Sequence, residues 1–290
     1  IKKTGQNDTR KVKFNHMAIT QEKIQLKEPD LCGFVNLLQD SSESVLNLMA
    51  EQISKLDDSS LKKIEELVQK AKDEDLIDNW YHASKMSLLN QIQNWKKDGD
   101  LEDGLFLISR LKNPGLDVAR YKKILDSYAA RVASKLSPSS TKKDTINALN
   151  HVLYKEESFV GNQANYYDMD NNFLHTVIDT GTGNPIMISA IYILVGRRLG
   201  LDIKGIGTPG HFIVQFEDQL LDPFFAGREI TKEECVIRSQ ELRVYWRDEY
   251  LEPINDTFII SRCIRNLIAI YKKLNEFKKA EDATNLLKLV

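Results

Sequence analysis

The segment from Pro185 to Leu199, PIMISAIYILVGRRL, constrains the fold of this chain more than any other. Asn184 before it is a good helix N-cap, and Pro185 suits the first helical position, where its missing N–H leaves no bond unmade. Gly200 supplies a left-handed residue to end the helix, and Arg197 and Arg198 complement the negative end of its dipole. Between these limits Ile186, Met187, Ile188, Ala190, Ile191, Tyr192, Ile193, Leu194 and Val195 leave no broad polar stripe to face water. A helix apolar around nearly its whole circumference is buried, and this one is too short to span a bilayer. The sequence therefore predicts a domain built around a central helix over 185–199.

The next residues set the layer against it. Phe212-Ile213-Val214-Gln215-Phe216 and Gln219-Leu220-Leu221 are strand-like runs separated by Glu217-Asp218, the spacing of a tight hairpin. A two-residue loop pairs Phe216 with Gln219, and so Ile213 with Asp222 and His211 with Phe224. His211 and Asp222 are then diagonal neighbours on one face, within side-chain reach. A three-residue loop would put them on opposite faces.

Buried helix, His strand and Asp strand follow one another in the order of papain-like and transglutaminase-like thiol enzymes. At these residues the chain resembles the bacterial SirB-type proteins of the transglutaminase-like superfamily, whose core also occurs in some eukaryotic F-box proteins. The matching text includes LISRLKNPGLDVARYKKILDSYAARV (107–132) and LNHVLYKEESFVGNQANYYDMDNNFLHTVI (149–178). It continues through the PGHF and LDPF signatures and the C-terminal helical pair, covering residues 100–290. The resemblance implies an α+β fold with a helical N-terminal region and a transglutaminase/papain-like core. That core would hold a central buried helix and a small antiparallel sheet, followed by a tetratricopeptide-like helical hairpin. It also implies that His211 and Asp222 match the superfamily's catalytic His and Asp.

The departures from the pattern bear on chemistry. In active members of the superfamily the nucleophile is a thiol at the start of the central helix, where the dipole lowers its pKa. Here that place falls between Pro185 and Met187, and the helix contains no Cys. Relatives often carry Ser or Thr where this chain has Met187, and Ser189 lies about a turn further in. The expected function is therefore a catalytically degenerate protein- or peptide-interaction module. The alternative is an amide hydrolase or acyl transferase in which His211 is general base, Asp222 orients it, and the nucleophile is a water or a thiol from elsewhere. Cys235 is the closest such thiol in sequence, in TKEECVIR, where a short helix and a plain structural cysteine are expected.

Composition sets outer bounds. With 42% hydrophobic and 28% charged residues, 290 residues suffice for a sizeable core. A net charge of −2 gives no nucleic-acid footprint, and no apolar run reaches the length of a membrane span. Cys32, Cys235 and Cys263 are widely spaced and odd in number, which suits reduced thiols and a cytoplasmic location. His16, His82, His151 and His175 form no H-x-x-x-H or His–Cys cluster, so no metal or cofactor is expected and each reads as a surface or capping residue. Gly181-x-Gly183 lacks the third glycine, the lysine and the preceding strand of a phosphate cradle. Tyr166, Tyr167 and Asp168 match the resemblance without a role that chemistry assigns them.

Four regions are expected. Residues 1–29 read as a polar, basic arm. Residues 30–99 read as a helical, HEAT-like region. There Val45, Leu48, Met49 and Ile53 share one helix face, Leu61, Ile64, Leu67 and Val68 share another, and a longer helix from Leu76 to Lys97 packs through Trp80, Tyr81, Leu88, Leu89, Ile92 and Trp95. Residues 100–255 form the transglutaminase-like core. Residues 256–290 form a tetratricopeptide-like pair, with Leu267, Ile270, Tyr271, Phe277 and Ala280 at its pattern positions.

Overall fold

The computed structural model describes residues 23–290. Most of the arm expected over 1–29, including His16, lies outside these residues. From Ile24 the chain is engaged: Ile24 bridges to Leu56, and a helix α1, Glu28–Leu37, packs against the helices that follow. That helix falls almost wholly in the region expected to be helical, and its Leu31 and Phe34, with Leu38 at the C-cap, are buried in the cluster.

Helices α2 (Glu43–Lys55), α3 (Asp58–Ala71) and the first half of α4 (Glu74–Asp98) complete this N-terminal cluster. Asp57 and Asp73 cap α3 and α4 by accepting from Ser60 and Leu76 N–H groups. The buried stripe of α2 is Leu46, Met49, Ala50 and Ile53; Leu48 is exposed and Val45 only half-buried, correcting the face expected there. Both stripes are apolar at helical spacing, and packing on α4 selects between them. Tyr81 is also exposed, because its neighbour Trp80 takes the interior place while the Tyr81 hydroxyl meets Glu65 at 3.2 Å. Further along α4, Leu88, Ile92 and Trp95 belong to the second and larger core.

That core is assembled from α5 (Leu101–Ser109), α6 (Val118–Ser134) and α7 (Lys142–Asn150), the last running into a wide turn over His151–Glu156. A short strand β1 (Val160–Gly161) pairs in parallel with β2 (Thr182–Gly183), across α8 (Leu174–Thr180). Next come α9 (Pro185–Arg198), β3 (Ile203–Ile206), β4 (Ile213–Phe216), β5 (Gln219–Asp222) and β6 (Arg228–Glu229). Then follow α10 (Lys232–Glu241), β7 (Pro253–Ile254), α11 (Asp256–Lys273) and α12 (Phe277–Leu289). The sheet is antiparallel throughout, in the order β6-β5-β4-β3-β7. The fold is α+β.

Every residue of α9 from Pro185 to Gly196 is buried, so the helix runs through the middle of the core with β3, β4, α6 and α8 packed around it. Alternation along β4 sorts its side chains. Phe212, Val214 and Phe216 join the core of α9, while Ile213 joins a smaller cluster with Ile206, Ile230 and Cys235 of α10. At about 1.5–3 kcal/mol for each fully buried Ile or Leu, α9 alone anchors this half of the molecule. The C-terminal pair is part of the same core through Ile259, Ile260, Leu267, Tyr271, Ala280 and Leu286. Phe277, at the first position of α12, is exposed; the inward stripe of that helix begins a turn later at Ala280.

Candidate active site

The hairpin register places the two candidate catalytic residues. Glu217 adopts a left-handed φ of 54°, Glu217-Asp218 closes a two-residue loop, and Phe216 pairs with Gln219, Gln215 with Leu220 and Val214 with Leu221. His211 stands just before β4, in the turn Thr208-Pro209-Gly210-His211, whose closing bond runs from His211 N–H to the Thr208 carbonyl at 3.2 Å. Gly210 has φ of 63° there, a conformation that costs an L-residue and that glycine adopts freely. Asp222 ends β5. Its carboxylate oxygens lie 2.9 and 3.0 Å from His211 Nε2, with the carboxylate fully buried and the imidazole 4% exposed.

A carboxylate accepts, so Nε2–H donates to Asp222 and the lone pair of the imidazole is on Nδ1. Among the described residues Nδ1 has no hydrogen-bond partner. Phe224 meets the ring edge-on at 5.8 Å and Phe225 lies at 6.2 Å. Burial lowers the His211 pKa; the hydrogen bond to Asp222 opposes this, and the Arg238 and Arg262 guanidiniums add to it. The imidazole is therefore neutral near pH 7, oriented by a carboxylate, with one basic nitrogen unspent. A buried histidine held by a carboxylate in this way has the arrangement that orients a general base in a Ser–His–Asp type triad.

The place of a nucleophile is different. Asn184 caps α9 by accepting from Met187 N–H at 2.9 Å, and its own amide donates to Asn172 at 2.7 Å. The first turn behind this cap presents Pro185, Ile186 and Met187, all buried and none ionisable. Ser189 is fully buried, and its hydroxyl donates to the Phe212 carbonyl at 3.3 Å. Cys235 sits among Ile206, Ile213 and Ile230, and burial pushes its thiol up, opposite to what an attacking thiolate needs. Cys263 is buried deeper and its thiol is pushed up to about 12. Cys32 is exposed, far along the chain in α1.

Sequence reasoning gave no role at the site to several residues around it. Tyr154 and Tyr192 have buried hydroxyls without a hydrogen-bond partner among the described residues, and burial raises the pKa of both. Tyr166 meets Phe224 edge-on at 6.3 Å, so Phe224 links the tyrosine loop to His211. With Asn172, Asn184, Asn266 and Lys273, Tyr166 and Tyr167 also line a cavity of 110 Å³ at the α9 N-terminus. The register of α11, which brings Asn266 and Lys273 to that wall, was the available signal. His175, expected at the surface or as a cap, is instead buried on α8 between Leu174 and Val177, where burial pushes its pKa down to about 4. His82 and His151 are exposed. Among the described residues no three His, Cys, Asp or Glu side chains cluster as metal ligands, and no helix is long and apolar enough to cross a membrane.

Comparison with known proteins places this geometry. The transglutaminase-like superfamily matches residues 119–265, half of the chain, including all of α9, β4 and β5. A UPF0162 protein of Xylella fastidiosa (strain 9a5c) is 33% identical over 198 residues, 63% of this chain and 69% of that protein. F-box only protein 21 of Mus musculus is 29% identical over 160 residues, which is 51% of this chain and 25% of the mouse protein. No solved structure gives a significant match. With the superfamily's match spanning the central helix and both strands of the His–Asp pair, the chain belongs to the transglutaminase-like superfamily.

Proposed function

We propose that the protein is a catalytically degenerate, SirB-type member of its superfamily, using the cleft beside His211 and its helical flanks to hold a protein or peptide. The first turn of α9 carries this reading. Pro185, Ile186 and Met187 occupy the place where the helix dipole would activate a thiol, and none of them can lose a proton. The similarity to one quarter of F-box only protein 21 supports a module used within larger chains. The division into an arm (1–29), a HEAT-like region (30–99), a core (100–255) and a tetratricopeptide-like pair (256–290) belongs to the same reading. So do a cytoplasmic location, independence of cofactors and the absence of nucleic-acid or membrane partners.

A second reading has one observation in its favour: the unpartnered, neutral Nδ1 of His211 is what a general base requires. An amide hydrolase or acyl transferase would use that nitrogen on a water, or on Cys235. Amine incorporation and amide hydrolysis, assayed on wild type, His211→Ala and each Cys→Ser variant, separate the two. We expect no turnover above background in any of them. Robust wild-type turnover abolished by His211→Ala would replace the first reading with the second, and its loss in Cys235→Ser as well would place the nucleophile on α10.

A further inference from the structure

The partly buried arginines of this protein follow a rule with two exceptions. Arg198 pairs with Glu102 and Asp126 at 2.6 Å, Arg131 with Glu156 at 3.1 Å, and Arg110 with Asp58; the exposed Arg197 and Arg228 pair with Asp256 and Glu234. Arg238 and Arg262 have no carboxylate within ion-pair distance among the described residues. Both stand beside His211.

Arg262 lies in the first half of α11, and one of its terminal nitrogens donates to the Thr208 and His211 carbonyls at 3.2 and 3.0 Å. These bonds fix the guanidinium against the histidine turn and leave its other N–H donors free. The chain also makes room for it: a Cβ at Gly207 would stand 2.5 Å from the second terminal nitrogen. Desolvating an unpaired guanidinium is costly, and a fold that positions one on backbone carbonyls keeps it available for an anion from outside. Arg238, from α10, stacks on Phe225 at 5.6 Å and makes no side-chain hydrogen bond within the described residues. A third cation stands further along the same helix: Lys273, three turns along α11 from Arg262, lies 3.7 Å over the Tyr167 ring at the small cavity. Of the carboxylates around the pair, Asp222 is fully buried and spent on His211, and Glu234, one turn before Arg238 on α10, pairs with Arg228 at 2.7 Å.

We propose that the cleft between the Tyr166–Tyr167 loop and α11 recognises a peptide through a carboxylate, with Arg262 and Arg238 as its receptors and Lys273 as a further cationic contact for it. Arg fits this task because its planar donors match a carboxylate in pairs. The exposed faces of Tyr166 and Tyr167 supply the apolar contact that a peptide chain beside the charge would cover. This rests on the reading of the cleft as a peptide-holding one and adds the chemistry that selects the peptide.

The test uses four fluorescein-labelled decapeptide pools of mixed sequence: Asp/Glu-rich with a free C-terminus, the same pool amidated, and the Asn/Gln counterparts of each. Anisotropy is read for the full chain as wild type, Arg262→Gln, Arg238→Gln and Lys273→Gln. The wild type should bind carboxylate-bearing pools, with affinity about tenfold lower in Arg262→Gln or Arg238→Gln, the scale of one charged hydrogen bond. Arg238→Gln removes no side-chain hydrogen bond of the described fold, only its stacking on Phe225, and an unchanged thermal melting midpoint separates its loss of binding from unfolding. Amidation that removes binding assigns a terminal carboxylate, and loss in the Asn/Gln pools assigns acidic side chains. Binding that ignores both changes overturns the carboxylate proposal while leaving a peptide-holding cleft. Failure to bind any pool overturns both.

Discussion

His211 and Asp222 were legible from the sequence because strand alternation and a two-residue loop fix which side chains share a face. Arg262 and Arg238 were not, because they reach the site from helices whose placement no local pattern encodes. His175 was misread for a related reason: a lone histidine carries no periodic signal, and only the packing of α8 between α5 and α9 buries it. Its ordinary pKa of 6.5 falls to about 4 in the fold. As pH drops from 6.5 toward 4, the unfolded chain takes up a proton that the folded chain refuses. Stability present above pH 6.5 is therefore lost through that window, by on the order of 3 kcal/mol. His211, also lowered, acts in the same direction. Urea denaturation at pH 7 and pH 4.5 should show the wild type losing more stability than His175→Phe, whose ring can pack between Phe173 and Tyr121. An equal loss in the two proteins would remove His175 as a cause.

Among the elements, α9 was the most legible because cap, apolar run and terminal glycine agree over one short stretch. What the sequence leaves open is the use of the cap. Asn184 closes the helix, receives no charge, and donates to Asn172 in a loop further held by Asn162 to Asn171 at 3.0 Å and Asn171 to the Asn165 carbonyl at 2.9 Å. Asn184→Ala removes the cap and leaves the Asn172 side-chain oxygen without its donor, and we expect it to cost about 1–3 kcal/mol in thermal or chemical denaturation. Asn184→Asp keeps the cap acceptor and loses only the donor, so it should fall between wild type and Ala. The loop's two carboxylates are engaged locally, Asp168 by the Asp170 N–H at 3.0 Å and Asp170 by Lys112. In α2, by contrast, two apolar stripes compete and only α4 decides between Leu46 and Leu48.

For the whole molecule, two cores meet in one helix. Leu76, Trp80 and Ala83 of α4 belong to the N-terminal cluster, and Leu88, Ile92 and Trp95 to the core around α9. The sequence shows a break at Asp98-Gly99-Asp100 and proposes a boundary there, because caps and glycines are local signals while the sharing of a helix is not. Fragments test that boundary. One spanning 84–290 should be monomeric by size exclusion with native-like near-ultraviolet dichroism. One spanning 100–290 loses three large apolar side chains from its core and should aggregate or bind a hydrophobic dye; a well-folded 100–290 fragment would favour the break at Gly99. The shared helix also bears on inheritance. Ser84 to Ser87 is the stretch of α4 that separates the two apolar sets, so a gene rearrangement joining this core to a different N-terminal partner would have to cut inside a helix and restore its register, preserving the phase of every residue downstream.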